Sequence, residues 1–333
     1  MDYKIAIVNS SSFGTRFPDQ MERLQKIGTV ERVRVAGDAH GAELAEALKD
    51  YNIIISSVTP FFDAEFFEHK TDLLLLSRHG IGYNNVDVKA CNATGCILTT
   101  VSPLVERDAV AEGAVALLLD AMRQVSDSHV AANEGRWAER AKFVGNGVSG
   151  KTLGIIGCGN IGSRVVEILA RGYDLKVLAC DPVQHEDWAE GLRAQGVDIT
   201  YTDLDTVVSS CDILTLNADL NPTSFHILNA DCFAKMKKGV YVVNNARADL
   251  IDQPAMLDAL ADGTVKALAI DVMHDEPPAA DDPYFNHPKV LVCPHISAYT
   301  EECLRGMGEK CVGDVERFVA GEEVLGRVPE LVR

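Results

Sequence analysis

One short segment constrains the fold more than any other: Thr152-Leu153-Gly154-Ile155-Ile156-Gly157-Cys158-Gly159-Asn160-Ile161-Gly162. An apolar run enters a Gly-x-Gly-x-x-Gly turn that opens a helix. Asp181 follows nineteen residues after Gly162, at the end of a second apolar run, 176–180. Strand, turn, helix and spaced acid together form the dinucleotide-binding fingerprint in the setting it requires. Gly157 permits the tight turn, Gly159 lets backbone approach a pyrophosphate, and Gly162 lets the helix lie close to the strand. The helix N-terminus offers unpaired N–H groups and a positive dipole end to phosphates. A carboxylate at Asp181 accepts ribose hydroxyls and repels a 2′-phosphate.

The rest of the chain alternates strand and helix signals on both sides of this turn. Before it, apolar runs at 4–9, 30–35, 52–57, 73–78 and 96–100 predict strands, with helical patterns such as 42–49 and 64–69 between them. After it, runs at 152–156, 176–180, 198–201, 212–216, 240–244, 268–271 and 290–293 predict a second series. Such alternation implies an α/β protein of parallel sheets covered by helices, each doubly wound. Apolar periodicity over 108–125 predicts a long helix, the polar, glycine-rich stretch 133–150 an arm or loop, and 301–320 a C-terminal amphipathic helix. The length of 333 residues fits about two domains.

Composition excludes several classes of partner. The formal net charge of −18 argues against nucleic acid and anionic membrane surfaces. An anionic substrate therefore requires a local positive site. No apolar run approaches the roughly twenty residues that span a bilayer. The chain enters a strand within its first few residues, which predicts no secretory signal and a cytoplasmic protein. The 9 cysteines lack paired spacing, so neither a metal site nor a disulfide framework is predicted.

Ligands of doubly wound sheets sit beyond the carboxyl ends of the strands, and three polar residues follow such ends. Arg247 closes the run 242–246, Glu276 follows 268–272 within Asp275-Glu276-Pro277-Pro278, and His295 follows Val292-Cys293-Pro294. The set suits a 2-oxo acid. Arginine's planar fork holds a carboxylate or polarises a carbonyl oxygen. Histidine donates the proton that the oxygen needs as hydride arrives at carbon, and takes it back in reverse. A carboxylate bonded to that histidine fixes its tautomer and favours its charged form. The segment Gly80-Ile81-Gly82-Tyr83-Asn84-Asn85-Val86-Asp87 also follows a strand, and its glycines leave backbone N–H groups for an anion.

In these segments the chain resembles the D-isomer-specific 2-hydroxyacid dehydrogenases. The resemblance runs from about residue 52 to 320. It includes the turn at 80–87, Ala109-Val110-Ala111-Glu112, Gly135-Arg136-Trp137, the fingerprint with Asp181-Pro182, Met236-Lys237-Lys238-Gly239, the run 244–247, Glu276-Pro277 and Pro294-His295. It implies a flavodoxin-like substrate domain at 1–100 plus 299–333 and a Rossmann-type NAD-binding domain at 101–298, with a cleft between them. The helix and arm at about 103–150 resemble the family's dimerisation elements, which implies a homodimer. Carried over, Arg247 orients the substrate, Glu276 partners the histidine and His295 is the acid/base. Gly157, Gly159, Asn160, Ile161, Gly162, Asp181, Asn245, Ala246 and Asp271 match cofactor-contacting positions. Ile81 and Gly82, with Arg247 and His295, match substrate-binding positions. The expected reaction is NAD-dependent reduction of a 2-oxo acid to a D-2-hydroxy acid.

The chain departs from the family pattern in several places. Ala248 follows Arg247 where glycine is usual, Asn217-Ala218-Asp219 replaces a common histidine-x-proline, and His79 stands where the lactate-type branches often carry arginine. These leave the catalytic groups intact and the choice of 2-hydroxy acid open. One branch of the family resembles NADH-binding transcriptional corepressors, which leaves an alternative reading with little or no turnover.

Overall fold

The structure is a computed structural model and describes residues 2–329. Residue 1 and residues 330–333, the end of the segment expected to rejoin the first domain, lie outside the described residues. The chain forms two compact units, Met1–Glu106 with Tyr299–Arg333, and Arg107–Ala298.

In the first unit, β1 (Lys4–Val8), β2 (Thr29–Val33), β3 (Ile53–Ser56), β4 (Leu75–Arg78) and β5 (Ile97–Thr99) form a sheet in the order β2-β1-β3-β4-β5. Every pairing is parallel. Helices α1 (Pro18–Gln25), α2 (Gly41–Ala47), α3 (Ala64–His69) and α4 (Val88–Ala93) connect the strands. A parallel sheet is buried on both faces, so its strands read as continuous apolar runs; Ile-Ile-Ile-Ser of β3 is buried throughout. Alternate residues serve opposite faces. Ala6, Val8, Ile54, Leu76 and Leu98 pack with Leu44, Phe66, Phe67 and Cys91 from α2, α3 and α4. Ile5, Ile7, Ile53, Ile55 and Leu75 pack with Leu24 of α1 and with Cys311, Val312 and Val315 of the C-terminal helix, Glu301–Ala320.

Among the polar ties that seat that helix, two differ in depth. Arg23 on α1 grips Glu316 through Nε and Nη2 at 2.9 and 2.7 Å and Glu309 through Nη1 at 2.6 Å. Asp314, fully buried, accepts from Thr99 Oγ1 at 2.6 Å and from Ser77 Oγ at 3.3 Å, and pairs with Lys310 at 2.5 Å.

The second unit carries β6 (Thr152–Ile156), β7 (Lys176–Cys180), β8 (Asp198–Tyr201), β9 (Ile213–Leu216), β10 (Val240–Asn244), β11 (Val265–Ile270) and β12 (Val290–Val292). Their order is β12-β11-β10-β9-β6-β7-β8, again wholly parallel. The order reverses between β6 and β9, which opens the crevice where ligands of such sheets bind. The predicted long helix starts earlier than expected, as α5 (Pro103–Arg123). It stops at Gln124, whose φ of 54° is left-handed, and α6 (Val125–Asn133) runs on from there. A single 3-10 turn, Trp137–Lys142, interrupts the predicted arm. Then come α7 (Asn160–Gly172), α8 (Glu186–Arg193), α9 (Leu204–Ser210), α10 (Ala230–Lys235) and α11 (Gln253–Ala261). One sheet face is Leu214, Val242 and Leu268, under Met256 and Leu260 of α11. The other is Ile155, Ile213, Val243 and Ala269, under Ala114, Leu118 and Met122 of α5 and Val165 and Leu169 of α7.

The two ties should differ in strength. Asp314→Ala strands a buried ammonium and two buried hydroxyls, so we expect a loss of about 3–5 kcal/mol in denaturant unfolding. Asp314→Asn, which keeps an acceptor for Thr99, should lose less than Asp314→Ala. Arg23→Ala removes a partly exposed cluster and should cost about 1 kcal/mol or less. Equal effects of Asp314→Ala and Arg23→Ala would refute this ranking.

Candidate active site and cofactor turn

β6 delivers the chain into the glycine turn, and α7 starts at Asn160 with Gly159 as its N-cap and no side-chain cap. Packing accounts for two of the glycines. Gly157 has a φ of +91°, and a Cβ there would lie 2.5 Å from the Ala218 nitrogen; a Cβ on Gly162 would lie 2.0 Å from the Gly157 carbonyl oxygen. A Cβ on Gly159 would meet nothing within 4 Å, so that glycine faces open space beside free helix N–H groups. This is the cradle a pyrophosphate requires. Asp181 is fixed beside it: Oδ2 accepts from the Cys158 amide at 2.6 Å and Oδ1 from the Val183 amide at 2.7 Å. Asn245 and Ala246 lie past the end of β10. The Asn245 side chain donates to the Val110 carbonyl at 2.8 Å, and the Ala246 amide donates to Asn244 Oδ1 at 3.0 Å.

Arg247, Glu276 and His295 all lie in the second unit, each beyond the carboxyl end of a strand. His295 Nδ1 meets Glu276 Oε2 at 2.7 Å, and Glu276 Oε1 accepts from the Met273 amide at 3.1 Å. Burial pushes the Glu276 carboxyl up. The hydrogen bond and charge of His295, the Met273 amide and the charge of Arg247 outweigh this and bring it below the ordinary glutamate value. Glu276 is thus a carboxylate at neutral pH. With Nδ1 turned to Glu276, the imidazole has Nε2 for a reacting group. Arg247 donates through Nη1 to the Ala246 carbonyl at 2.6 Å, and its own carbonyl accepts from Asn244 Nδ2 at 2.8 Å.

Asp271 has a task that the sequence did not reveal. Its carboxylate, buried at 1% exposure, accepts from the Ile296 amide at 2.8 Å and the Ser297 amide at 2.6 Å. These bonds clamp the backbone immediately after His295, whose φ of 56° is left-handed and costly for a histidine. Asp271 therefore positions the imidazole.

In the first unit, the Ile81 amide follows β4 and donates to Glu106 Oε1 at 2.9 Å. The backbone group expected to hold an anion thus already serves a carboxylate, and Glu106 went unnoticed in the sequence. His79 is buried beside Phe13, with ring centroids 5.4 Å apart. Burial, then Arg78 and Lys310, push its pKa down to about 3, so it is neutral. His40, Asp63 and Glu65 place potential metal-ligand atoms within 4.8 Å of one another, a grouping that cysteine and histidine spacing could not reveal. There Asp63 already caps α3 through Phe66 N at 2.8 Å. Among the described residues no helix is long and apolar enough to cross a membrane.

The chain matches the family model described as "D-isomer specific 2-hydroxyacid dehydrogenase, NAD binding domain" over residues 115–297. It belongs to the D-isomer-specific 2-hydroxyacid dehydrogenase family, and its cofactor is NAD. It is 32% identical over 304 residues to a D-3-phosphoglycerate dehydrogenase of Methanocaldococcus jannaschii, covering 91% of this chain and 56% of that protein. The chain thus spans about half the length of the phosphoglycerate dehydrogenases it matches. It is 31% identical to a glyoxylate reductase of Korarchaeum cryptofilum, covering 84% of this chain and 83% of that one. A hydroxypyruvate reductase of Thermotoga maritima is 32% identical, with 81% and 85% covered. Among solved structures, a glyoxylate reductase from Paecilomyes thermophila superposes with a TM-score of 0.81 at 27% identity, over 99% of both chains.

Asp181 should set the choice between NADH and NADPH. A 2′-phosphate would meet its carboxylate, and Pro182-Val183-Gln184 supply no cation. Like charges in contact cost on the order of 1–4 kcal/mol at accessible dielectric. We expect kcat/KM to favour NADH by at least about tenfold, which is roughly 1.4 kcal/mol. Equal efficiency with both cofactors would overturn this.

Proposed function

We propose that this protein reduces a small 2-oxo acid to the D-2-hydroxy acid, with His295 as acid/base, Glu276 as its partner and Arg247 as the substrate-orienting cation. The 2.7 Å bond between His295 Nδ1 and Glu276 carries the reading. It directs Nε2 to the reacting oxygen, and an ionised Glu276 stabilises the imidazolium that gives up the proton. NADH, when bound, supplies the hydride. Arg247 orients the substrate by a two-point contact with its carboxylate or by polarising the carbonyl. The amides of Ile81 and Gly82 are proposed as carboxylate donors in the first unit, where a substrate carboxylate would take the place Glu106 holds at the Ile81 amide. Glyoxylate and hydroxypyruvate are the first substrates to test, because the reductases named for them are matched over most of their own length.

A homodimer is proposed as well, through α5, α6 and the arm. Trp137 and Val144 stand 71% and 72% exposed there, with Leu104, Val125 and Val130 also exposed. Apolar groups clustered on one segment favour a partner surface.

The first experiment is NADH loss with a panel of 2-oxo acids, and no turnover of any would refute the reading. The pH profile then tests the acid/base pair. Reduction needs a protonated His295 and oxidation a neutral one. Reduction should therefore fall with rising pH over the range in which oxidation rises. Glu276→Gln keeps the size and removes the charge that favours imidazolium, so both limbs should move to lower pH. His295→Ala should lower kcat by roughly 10²–10⁴-fold. Unmoved limbs in Glu276→Gln would reduce Glu276 to a loop acid, and near-normal turnover in His295→Ala would end the catalytic assignment.

A further inference from the structure

A second histidine–carboxylate pair lies on the two loops that carry Arg247 and Glu276. Asp249 follows Arg247 by two residues, on the 3-10 turn Ala248–Leu250. His274 precedes Glu276 by two residues. His274 Nδ1 meets Asp249 Oδ1 at 2.7 Å, with the side chains 26% and 41% exposed. Neither residue was singled out from the sequence.

Each loop has anchors of its own, and beneath them the Asp271 amide donates to the Asn244 carbonyl at 3.1 Å where the two strands end. On the Arg247 side, Asn244 spans the turn, donating to the Arg247 carbonyl and accepting from the Ala246 amide. The Asp249 carbonyl accepts from the His226 amide at 2.8 Å, and the Leu250 carbonyl from the Leu228 amide at 3.0 Å. On the Glu276 side, the Met273 amide holds Oε1 at 3.1 Å while Oε2 reaches His295. The His274–Asp249 bond joins these two bracketed loops. In a half-exposed pair the Coulomb energy is largely screened. A short, directed side-chain bond between the two loops, beyond the strand-end pairing of Asn244 with Asp271, instead fixes their spacing.

We infer that Asp249 and His274 are positioning residues: their hydrogen bond sets the distance between the Arg247 turn and the Glu276 loop, and so aligns the cation with the acid/base pair. The inference rests on the reaction proposed above. Neither residue needs to touch the substrate. The bond acts through geometry, because a shift of about 1 Å at a reacting centre can cost on the order of 100-fold in rate. Asparagine at 249 keeps an oxygen that accepts from Nδ1–H, so the tie needs an acceptor there and not a charge.

The test uses the full chain and four variants, Asp249→Ala, Asp249→Asn, His274→Ala and the double alanine. Kinetics with the best 2-oxo acid are combined with NADH affinity and with amide hydrogen exchange of the peptides covering 244–251 and 272–278. We expect Asp249→Ala and His274→Ala each to lower kcat about tenfold and raise the 2-oxo acid KM, with NADH affinity unchanged. The double variant should be no worse than either single one, because both remove the same bond. Asp249→Asn should restore activity to within about twofold. Both peptides should exchange faster in the alanine variants and not in Asp249→Asn. Multiplying defects, a failed asparagine rescue, or single variants as active as the parent would each overturn the inference. If the parent reduces no 2-oxo acid, the proposed reaction fails by itself. The exchange data then decide the tie: loosening of both loops together upholds it, and unchanged exchange refutes it.

Discussion

Parallel pairing is the constraint on which the rest of this protein depends. A sheet with no antiparallel strand needs a crossover after every strand and an apolar cover on both faces. In the first unit, α2, α3 and α4 cover one face, while the other is left to an eight-residue helix, α1. The return of the chain as a C-terminal helix follows from that shortage, with Cys311, Val312 and Val315 laid over Ile5, Ile53 and Leu75. The same pairing directs the carboxyl ends of all strands to one edge of each sheet. Loops there are free of crossover packing and can carry chemistry, and Arg247, Glu276 and His295 stand on such loops.

A reactive group on a loop needs a support that regular structure does not supply. For His295, the proposed acid/base, the support is electrostatic and covers three consecutive residues. Asp271 takes the two amides that follow the histidine, and Glu276 takes the ring. The left-handed backbone at His295 costs on the order of 1–3 kcal/mol. Two bonds from amides to a buried carboxylate are enough to offset that, at about 1.5–3 kcal/mol each. Asp271 and Glu276 leave the same strand end, β11, so the backbone clamp and the ring partner are set by one segment.

The strand series was legible in the sequence because each buried parallel strand is a continuous apolar run. The run at 152–156 and the acid at 181 fixed the cofactor turn without any tertiary information. Helices α1, α4 and α6 were not legible. The segment 18–25 is polar apart from two residues, α4 is six residues long, and α6 is separated from α5 only by the left-handed Gln124. The candidate acid, base and cation could be placed at strand ends by counting. Their supports could not. The resemblance implied a cofactor contact for Asp271; that its carboxylate also accepts from the Ile296 and Ser297 amides depends on a side-chain direction that no sequence pattern carries. Glu106 and the Asp249–His274 pair form contacts between residues 25 apart along the chain, at a spacing no local pattern marks.

Charge explains why the supports are built as they are. The chain carries 49 acidic and 31 basic side chains, so the long-range field opposes an anionic substrate. Local groups must overcome it within a few ångströms, where screening by salt is weakest. Glu276 would add to the repulsion if it faced the substrate as a bare carboxylate. Its two oxygens are instead turned to the His295 ring and the Met273 amide, and Arg247 adds a compensating charge. Asp271 is treated in the same way, with both oxygens consumed by backbone amides. Both of these acids are thus bonded internally. In the reaction proposed above, Arg247 supplies the local positive charge that an anionic substrate needs in a strongly negative protein.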